Sequence, residues 1–197
     1  MEIIFATKNQ GKVRELQALI EQNNLENLKL LSLLDFETNL EIKETGKTFL
    51  ENAVIKAKTI FEKFKKPVIA DDSGLIVEEL NEPGIFSARY AGENATDEDN
   101  NLKLIKNVKN LKNREAYFEC ALVFINEKGK IYSANEKCFG EIILKPKGNK
   151  GFGYDPIFYL PEYKKTMAEI PIEEKNQISH RGKAFKKIVE ILRGLYG

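Results

Sequence analysis

Residues Val68 to Val77 read V-I-A-D-D-S-G-L-I-V: an apolar run, two adjacent carboxylates, a Ser-Gly pair and a second apolar run. Val68, Ile69 and Ala70 have the continuous apolar character of a strand covered on both faces, which places Asp71 and Asp72 where that strand emerges. Neighbouring strand residues point to opposite sides, so one carboxylate can face a substrate while the other tethers a turn through backbone hydrogen bonds. Two readings follow. Either one Asp holds a hard cation such as Mg2+, or activates a water, against a phosphorylated substrate, or the pair only satisfies backbone amides in an Asx-turn.

A second group is cationic. Glu2 to Ala6 predicts a short buried strand, Thr7-Lys8-Asn9-Gln10-Gly11-Lys12 a loop, and Val13, Leu16, Leu19 and Ile20 the apolar face of the helix after it. Such a loop aims backbone N–H groups and a positive helix end outward, Lys8 and Lys12 add charge, Asn9 supplies an amide, and Gly11 lets the backbone approach closely. Phosphate is the natural guest, against an ordinary strand-to-helix connection with solvated lysines. Gly46-Lys47-Thr48 imitates the end of a Walker A motif, but the earlier glycine that motif requires falls on Glu41. Thr48 and Glu51 instead predict a capping box opening a helix. Its apolar side is Phe49, Leu50, Ala53, Val54, Ala57, Ile60, Phe61 and Phe64, with Lys56 off that stripe.

A third group is suited to a flat ring. Lys145 to Gly153 carries glycines at 148, 151 and 153 and leads into Tyr154-Asp155. Phe152 or Tyr154, if exposed, can stack on a base, and Asp155 can accept a hydrogen bond from a ring N–H. Glu173 to Gly182 holds the one histidine, His180, followed by Arg181, a compact donor cluster at a helix start with Ser179 as its N-cap.

The remaining elements position these groups. Leu30 to Phe36 and Leu40 to Ile42 predict short extended segments. Pro83 to Gly92 predicts an ordered loop beside the site. Thr96-Asp97-Glu98-Asp99 caps a helix with Leu102, Ile105 and Val108 buried. Ala116 to Ile125 and Ile131 to Leu144 predict a hairpin turned at Asn126-Glu127-Lys128-Gly129 and bent around Gly140. The last helix buries Ala184, Phe185, Ile188, Ile191, Leu192 and Leu195.

A chain of 197 residues fits one domain in two lobes, and a domain of this length buries roughly 70% of its unfolded surface. Thirty-one basic against thirty acidic residues leave a net charge of +1, so no global field draws the protein to nucleic acid or membrane. Two cysteines, Cys120 and Cys138, are too few for a disulfide framework. With no signal-peptide pattern and no apolar run of membrane-spanning length, the expected location is cytoplasmic.

Six stretches together resemble one family, the non-standard purine nucleoside triphosphate pyrophosphatases, also called inosine triphosphate pyrophosphatases or XTP/dITP diphosphatases. They are A-T-K-N-Q-G-K at 6–12, E-T-G-K-T-F-L-E-N-A at 44–53, A-D-D-S-G-L at 70–75, P-G-I-F-S-A-R-Y-A-G at 83–92, G-F-G-Y-D-P at 151–156 and I-S-H-R-G-K-A at 178–184. The resemblance spans nearly the whole chain. It implies hydrolysis of ITP, dITP and XTP to the monophosphate and pyrophosphate with Mg2+, which clears such nucleotides before they enter DNA or RNA. It also implies a homodimer and an elongated, two-lobed α/β fold around a mixed, twisted central sheet with flanking helices and a cleft.

Carried over by motif, Asp72, Lys12 and Lys56 would be catalytic, and Asp72 with Glu44 would hold the metal. Thr7, Lys8, Asn9, Gln10, Gly11, Lys12 and Ser73 would contact the substrate. Phe152 would stack on the base, Gly153 and Tyr154 would also contact the substrate, and Asp155, Lys175, His180 and Arg181 would complete purine recognition. Some members of the family carry a second acid immediately before the position of Glu44. Here that residue is Lys43, which leaves Asp71 or Glu41 as alternative metal ligands. The competing readings are a nucleotide pyrophosphatase resembling the septum-formation-inhibitor type, against which S-H-R and G-F-G-Y-D-P argue, and a non-catalytic RNA-binding module, against which the near-zero net charge and paired acids argue.

Overall fold

The computed structural model describes residues 1–25, 27–36, 40 and 42–196. Its elements in chain order are β1 (Glu2–Phe5), α1 (Gln10–Gln22), β2 (Lys29–Ser32), α2 (Phe49–Phe64), β3 (Val68–Val77), β4 (Glu82–Pro83), α3 (Asp97–Val108), β5 (Glu115–Ile125), β6 (Ile131–Ile142), β7 (Phe158–Leu160), β8 (Lys165–Thr166), α4 (Ile172–Ile178) and α5 (His180–Tyr196). Helices and strands alternate up to β3, after which strands run consecutively except where α3 intervenes, and two helices close the order. Among the described residues eight strands form one mixed sheet in the order β2-β1-β3-β5-β6-β7-β8, with β4 paired to β3. β1 runs parallel to β2 and β3, whereas β4 is antiparallel to β3, as β7 is to β6 and β8 to β7.

The chain divides into two compact units, one of Met1–Asp72, Cys120–Glu136 and Arg181–Gly197, the other of Ser73–Glu119 and Lys137–His180. The first has a core of Ile3 and Phe5 on β1, Leu16, Leu19 and Ile20 on α1, Ile69 on β3, Leu122 and Phe124 on β5, and Phe185, Ile188 and Leu192 on α5. The second gathers Leu75 and Val77, Leu104 and Val108 of α3, Phe118, Ile142, Tyr154, Ile157, Phe158 and Met167.

Several expectations are corrected. The extended segment expected over Leu30 to Phe36 ends at Ser32, because Ser32 and Asp35 cap each other and turn the chain into a short 3-10 helix, Leu33–Asp35. The segment expected at Leu40 to Ile42 includes Glu41, which lies outside the described residues. α1 begins at Gln10, the fourth residue of the predicted loop, because the Asn9 side chain caps it by accepting the N–H of Lys12 at 3.1 Å. Thr48 caps α2, but Glu51 turns back to the N–H of Lys47 at 2.6 Å, one residue short of closing a capping box on Thr48. Leu50, Leu102 and Leu195 are exposed, and α3 is rotated so that Leu104 fills the core where Leu102 was expected. β6 continues through Gly140, whose missing side chain admits the β7 backbone: a Cβ there would stand 2.5 Å from the carbonyl oxygen of Tyr159.

Candidate active site

The two acids do not mark the end of a strand. β3 runs unbroken through Asp71, Asp72, Ser73 and Gly74, so the expected Ser-Gly turn is absent. Buried carboxylates inside a strand need partners, and each finds a different set, as opposite faces of a strand require. Asp71 meets Lys12 Nζ at 2.9 Å and Arg181 Nε at 3.3 Å, and Arg181 also donates through Nη1 to the buried carboxylate of Glu15. Burial pushes the Asp71 carboxyl up, but Lys12, Arg181 and Lys56 outweigh it and hold the group well below the ordinary carboxylate range. Asp71 is therefore committed to charge pairing.

Asp72 faces α2. Its Oδ2 accepts Nδ2 of Asn52 at 3.0 Å, and its Oδ1 lies 3.4 Å from Nζ of Lys56, which also stands 3.0 Å from Oε1 of Glu44. Burial pushes the Asp72 carboxyl up, Glu44 adds to this, and Lys56 and Lys12 oppose it. Lys56 is not off the apolar stripe of α2 as expected but on its buried side, in line with Phe49, Asn52, Ala53 and Ile60. Burial pushes the Lys56 ammonium down, but Asp72, Asp71 and Glu44 outweigh it and hold the group above the ordinary lysine value.

Sequence reasoning overlooked Asn52, whose Oδ1 accepts the N–H of Gly46 at 2.8 Å, so its amide has only one orientation left in which to hold Asp72. A Cβ on Gly46 would stand 2.6 Å from that oxygen. The helical spacing of Asn52 and Lys56, one turn apart, carried the signal. Glu15 was overlooked as well, hidden beside the apolar stripe of α1.

Among the phosphate-loop residues, Lys8, Asn9 and Gln10 are exposed, Thr7 Oγ1 accepts the N–H of Asn9 at 3.1 Å, and Gly11 is buried in the first turn of α1. All precede or open a helix whose positive end faces outward with them.

In the second unit, Asp155 Oδ2 accepts Lys175 Nζ at 2.6 Å and the N–H of Phe152 at 3.0 Å, and that ammonium stands 5.2 Å from the centroid of the Phe152 ring. Gly151 has φ +77°, and a Cβ there would collide with the Asp155 carboxylate. Of the two aromatics offered for stacking, only Phe152 is part-exposed, because Tyr154 is buried and donates its hydroxyl to the carbonyl of Ser87 at 2.8 Å. His180 is buried with its ring stacked on Phe118, centroids 4.8 Å apart. Arg181 lies not with His180 but in the first unit, on Glu15 and Asp71. Ser73 is half-buried on β3, and Ser179 is extended at the position just before α5.

Among the described residues no three His, Cys, Asp or Glu side chains form a metal-holding group. Glu44 and Asp72 do converge on one cation, the Lys56 ammonium. One or two carboxylates completed by substrate phosphates and water suit Mg2+, so the donor set fits that ion. Of the alternative ligands, Asp71 pairs with Lys12 and Arg181 as Asp72 and Glu44 pair with Lys56, and Glu41 lies outside the described residues.

A model of the Ham1 family matches residues 3–191. A dITP/XTP pyrophosphatase of Geobacillus kaustophilus is 50% identical over 192 residues, covering 96% of this chain and 93% of the relative. One of Desulforamulus reducens is 44% identical over 199 residues, covering 100% and 98%. The structure of the Staphylococcus aureus Ham1 protein superposes with a TM-score of 0.86 at 40% identity, covering 98% of this chain and 99% of that one.

Proposed function

The chain belongs to the Ham1 family, and from that membership we propose that it hydrolyses non-standard purine nucleoside triphosphates, ITP, dITP and XTP, to the monophosphate and pyrophosphate. The observation that carries the reading is the cluster of buried Asp72, Asn52 and Lys56 with part-exposed Glu44 in a chain half identical to a dITP/XTP pyrophosphatase.

The chemistry divides among the residues. Asp72, its Oδ2 fixed by Asn52, accepts the proton of the attacking water. Lys56 and Lys12 neutralise the reacting phosphates, and the N-terminal turn of α1, with Thr7 to Gly11, receives phosphate oxygens. Glu44 and Asp72 hold Mg2+, which when bound neutralises charge on the leaving pyrophosphate. Ser73 contacts the substrate beside Asp72.

Phe152 stacks on the base, with Gly153 and Tyr154 shaping its loop. Lys175, His180 and backbone amides present donors to the 6-oxo group of hypoxanthine or xanthine, where adenine would set donor against donor; buried mismatches of this kind discriminate by up to roughly 10⁴–10⁵ fold. Asp155 orients Lys175 and accepts a ring N–H. Arg181, paired with Asp71 and Glu15, serves purine recognition by fixing the start of α5, where it follows His180 in sequence.

The protein acts in the cytoplasm as a homodimer and without nucleic acid. In support, Cys120 and Cys138 are buried and not disulfide-bonded, no helix among the described residues is long and apolar enough to cross a membrane, net charge is +1, and exposed Leu102 and Phe139 offer apolar surface to a second copy. The test is pyrophosphate release from ITP, XTP, GTP, ATP and dTTP with and without Mg2+. Metal-dependent release from ITP and XTP far above ATP is expected; equal rates on all five, or preference for dTTP, would overturn the reading.

A further inference from the structure

The loop that carries Phe152 is held from outside by two side chains of α3 that none of the motif residues predicts. Asp97 Oδ2 accepts the N–H of Gly153 at 2.7 Å, and Asn101 Nδ2 donates to the carbonyl of the same residue at 3.0 Å. Asp97 and Asn101 are one helical turn apart, so they project from the same side of α3 and grip both polar groups of one peptide residue. Gly153 has φ +61°, a conformation that leaves its backbone without the repetitive partners of a helix or strand, so these two bonds take their place. Asn101 is buried, and its Oδ1 has no hydrogen-bond partner among the described residues, so the bond to Gly153 is what orients the amide.

We propose that Asp97 and Asn101 are positioning residues for base recognition: together they clamp Gly153 and so fix the Phe152 ring that stacks on the purine. The inference rests on the reading of Phe152 as the stacking ring. Asp97 is also the first residue of α3, where a negative charge favours the helix whatever else it does. The chemistry separates the two roles. Asp97→Asn removes the charge but keeps an oxygen that can accept the Gly153 N–H, whereas Asp97→Ala removes both. Asn101→Asp keeps size and polarity but replaces the donor with an oxygen facing the Gly153 carbonyl.

Two readouts test the clamp. In the ligand-free protein, amide hydrogen exchange over residues 151–155 is expected to quicken by roughly fivefold or more in Asp97→Ala, Asn101→Ala and Asn101→Asp, the factor a single net hydrogen bond supplies, while Asp97→Asn stays near wild type. In turnover, the same three variants are expected to raise KM for ITP and the inhibition constant for IMP with little change in kcat, and to leave inhibition by pyrophosphate, which has no base, unchanged. Asp97→Asn matching Asp97→Ala in exchange, or pyrophosphate inhibition weakening in step with IMP, would overturn the proposal in favour of general support of α3. Should the wild-type protein release no pyrophosphate from ITP, the functional reading fails by itself, and the exchange pattern still decides whether the clamp exists.

Discussion

Oδ2 of Asp155 lies 2.6 Å from Nζ of Lys175, with both side chains buried, and the same oxygen takes the N–H of Phe152. Removing one partner of such a pair strands the other charge. Asp155→Asn keeps an acceptor for the Phe152 amide but loses the charge, and is expected to cost about 3 kcal/mol of stability. It is also expected to lower the preference for ITP over ATP at least tenfold, a ratio that kcat/KM measurements on the two nucleotides would read directly. Unchanged discrimination would remove Asp155 and Lys175 from base recognition.

Gly151 makes room for that pair. Gly151→Ala meets both a left-handed backbone, costing about 1–2 kcal/mol, and the Asp155 carboxylate. The two substitutions are expected to be non-additive: in an Asp155→Ala background the penalty of Gly151→Ala should fall to the backbone share alone. Equal penalties in both backgrounds, measured by denaturant unfolding, would mean the collision is relieved some other way.

Asp72→Asn keeps the size of the side chain and its link to Asn52 while abolishing the base. Turnover of ITP is expected to drop by about 10²–10⁴ fold, with the melting temperature little lowered. Near-normal turnover in this variant, with loss in Glu44→Ala, would move the proton acceptor elsewhere.

Glu44→Gln keeps the geometry near Lys56 but takes away one of the two carboxylates proposed for the metal. The Mg2+ concentration for half-maximal rate is expected to rise by on the order of tenfold or more, and EDTA should stop the wild-type reaction. A titration curve superimposable on that of the wild type would take Glu44 out of the metal site.

Asp71→Asn leaves Lys12 and Arg181 undercompensated and is expected to cost about 3–5 kcal/mol. The sign of the pH effect follows. Because the folded-state pKa of Asp71 lies below its ordinary value of 3.8, its contribution is complete above that value and disappears as pH falls through the lowered one. Acid unfolding curves of wild type and Asp71→Asn should therefore differ most above pH 4 and converge in stronger acid; a constant gap down to the lowest pH would contradict the pairing.

Much of this was legible in the residues. The strand-loop-helix at Glu2 to Ile20, the cap at Thr48, the capping role of Thr96 and Asp99, and the Asn126-Gly129 turn all depend on neighbours in the chain, and local chemistry specifies them. What escaped depends on distant partners. A reader of A-D-D-S-G sees two charges that should leave a strand; only Lys12, Arg181, Asn52 and Lys56, brought from three helices, make it possible for them to stay. Lys56 was set outside the apolar stripe for the same reason: its burial is unreasonable until Glu44 and Asp72 are placed beside it. The clamp on Gly153 was hidden because Asp97 stands in the acidic first turn of α3, where its charge already has a use.

Arg181 pairs with Asp71 across 110 positions of sequence and with Glu15 across 166. On a ribosome, Glu15 and Asp71 emerge long before their guanidinium does, and contacts closed over such spans form late. A nascent chain that has already made β1, α1, α2 and β3 can pair Asp71 with Lys12 but lacks the guanidinium that Glu15 and Asp71 share, and the unit that holds Asp72 cannot consolidate until α5 has been synthesised. Synthesis arrested before residue 181 is then expected to yield an inert, protease-sensitive fragment, so that the order of translation itself keeps hydrolytic competence for chains that have been carried through α5.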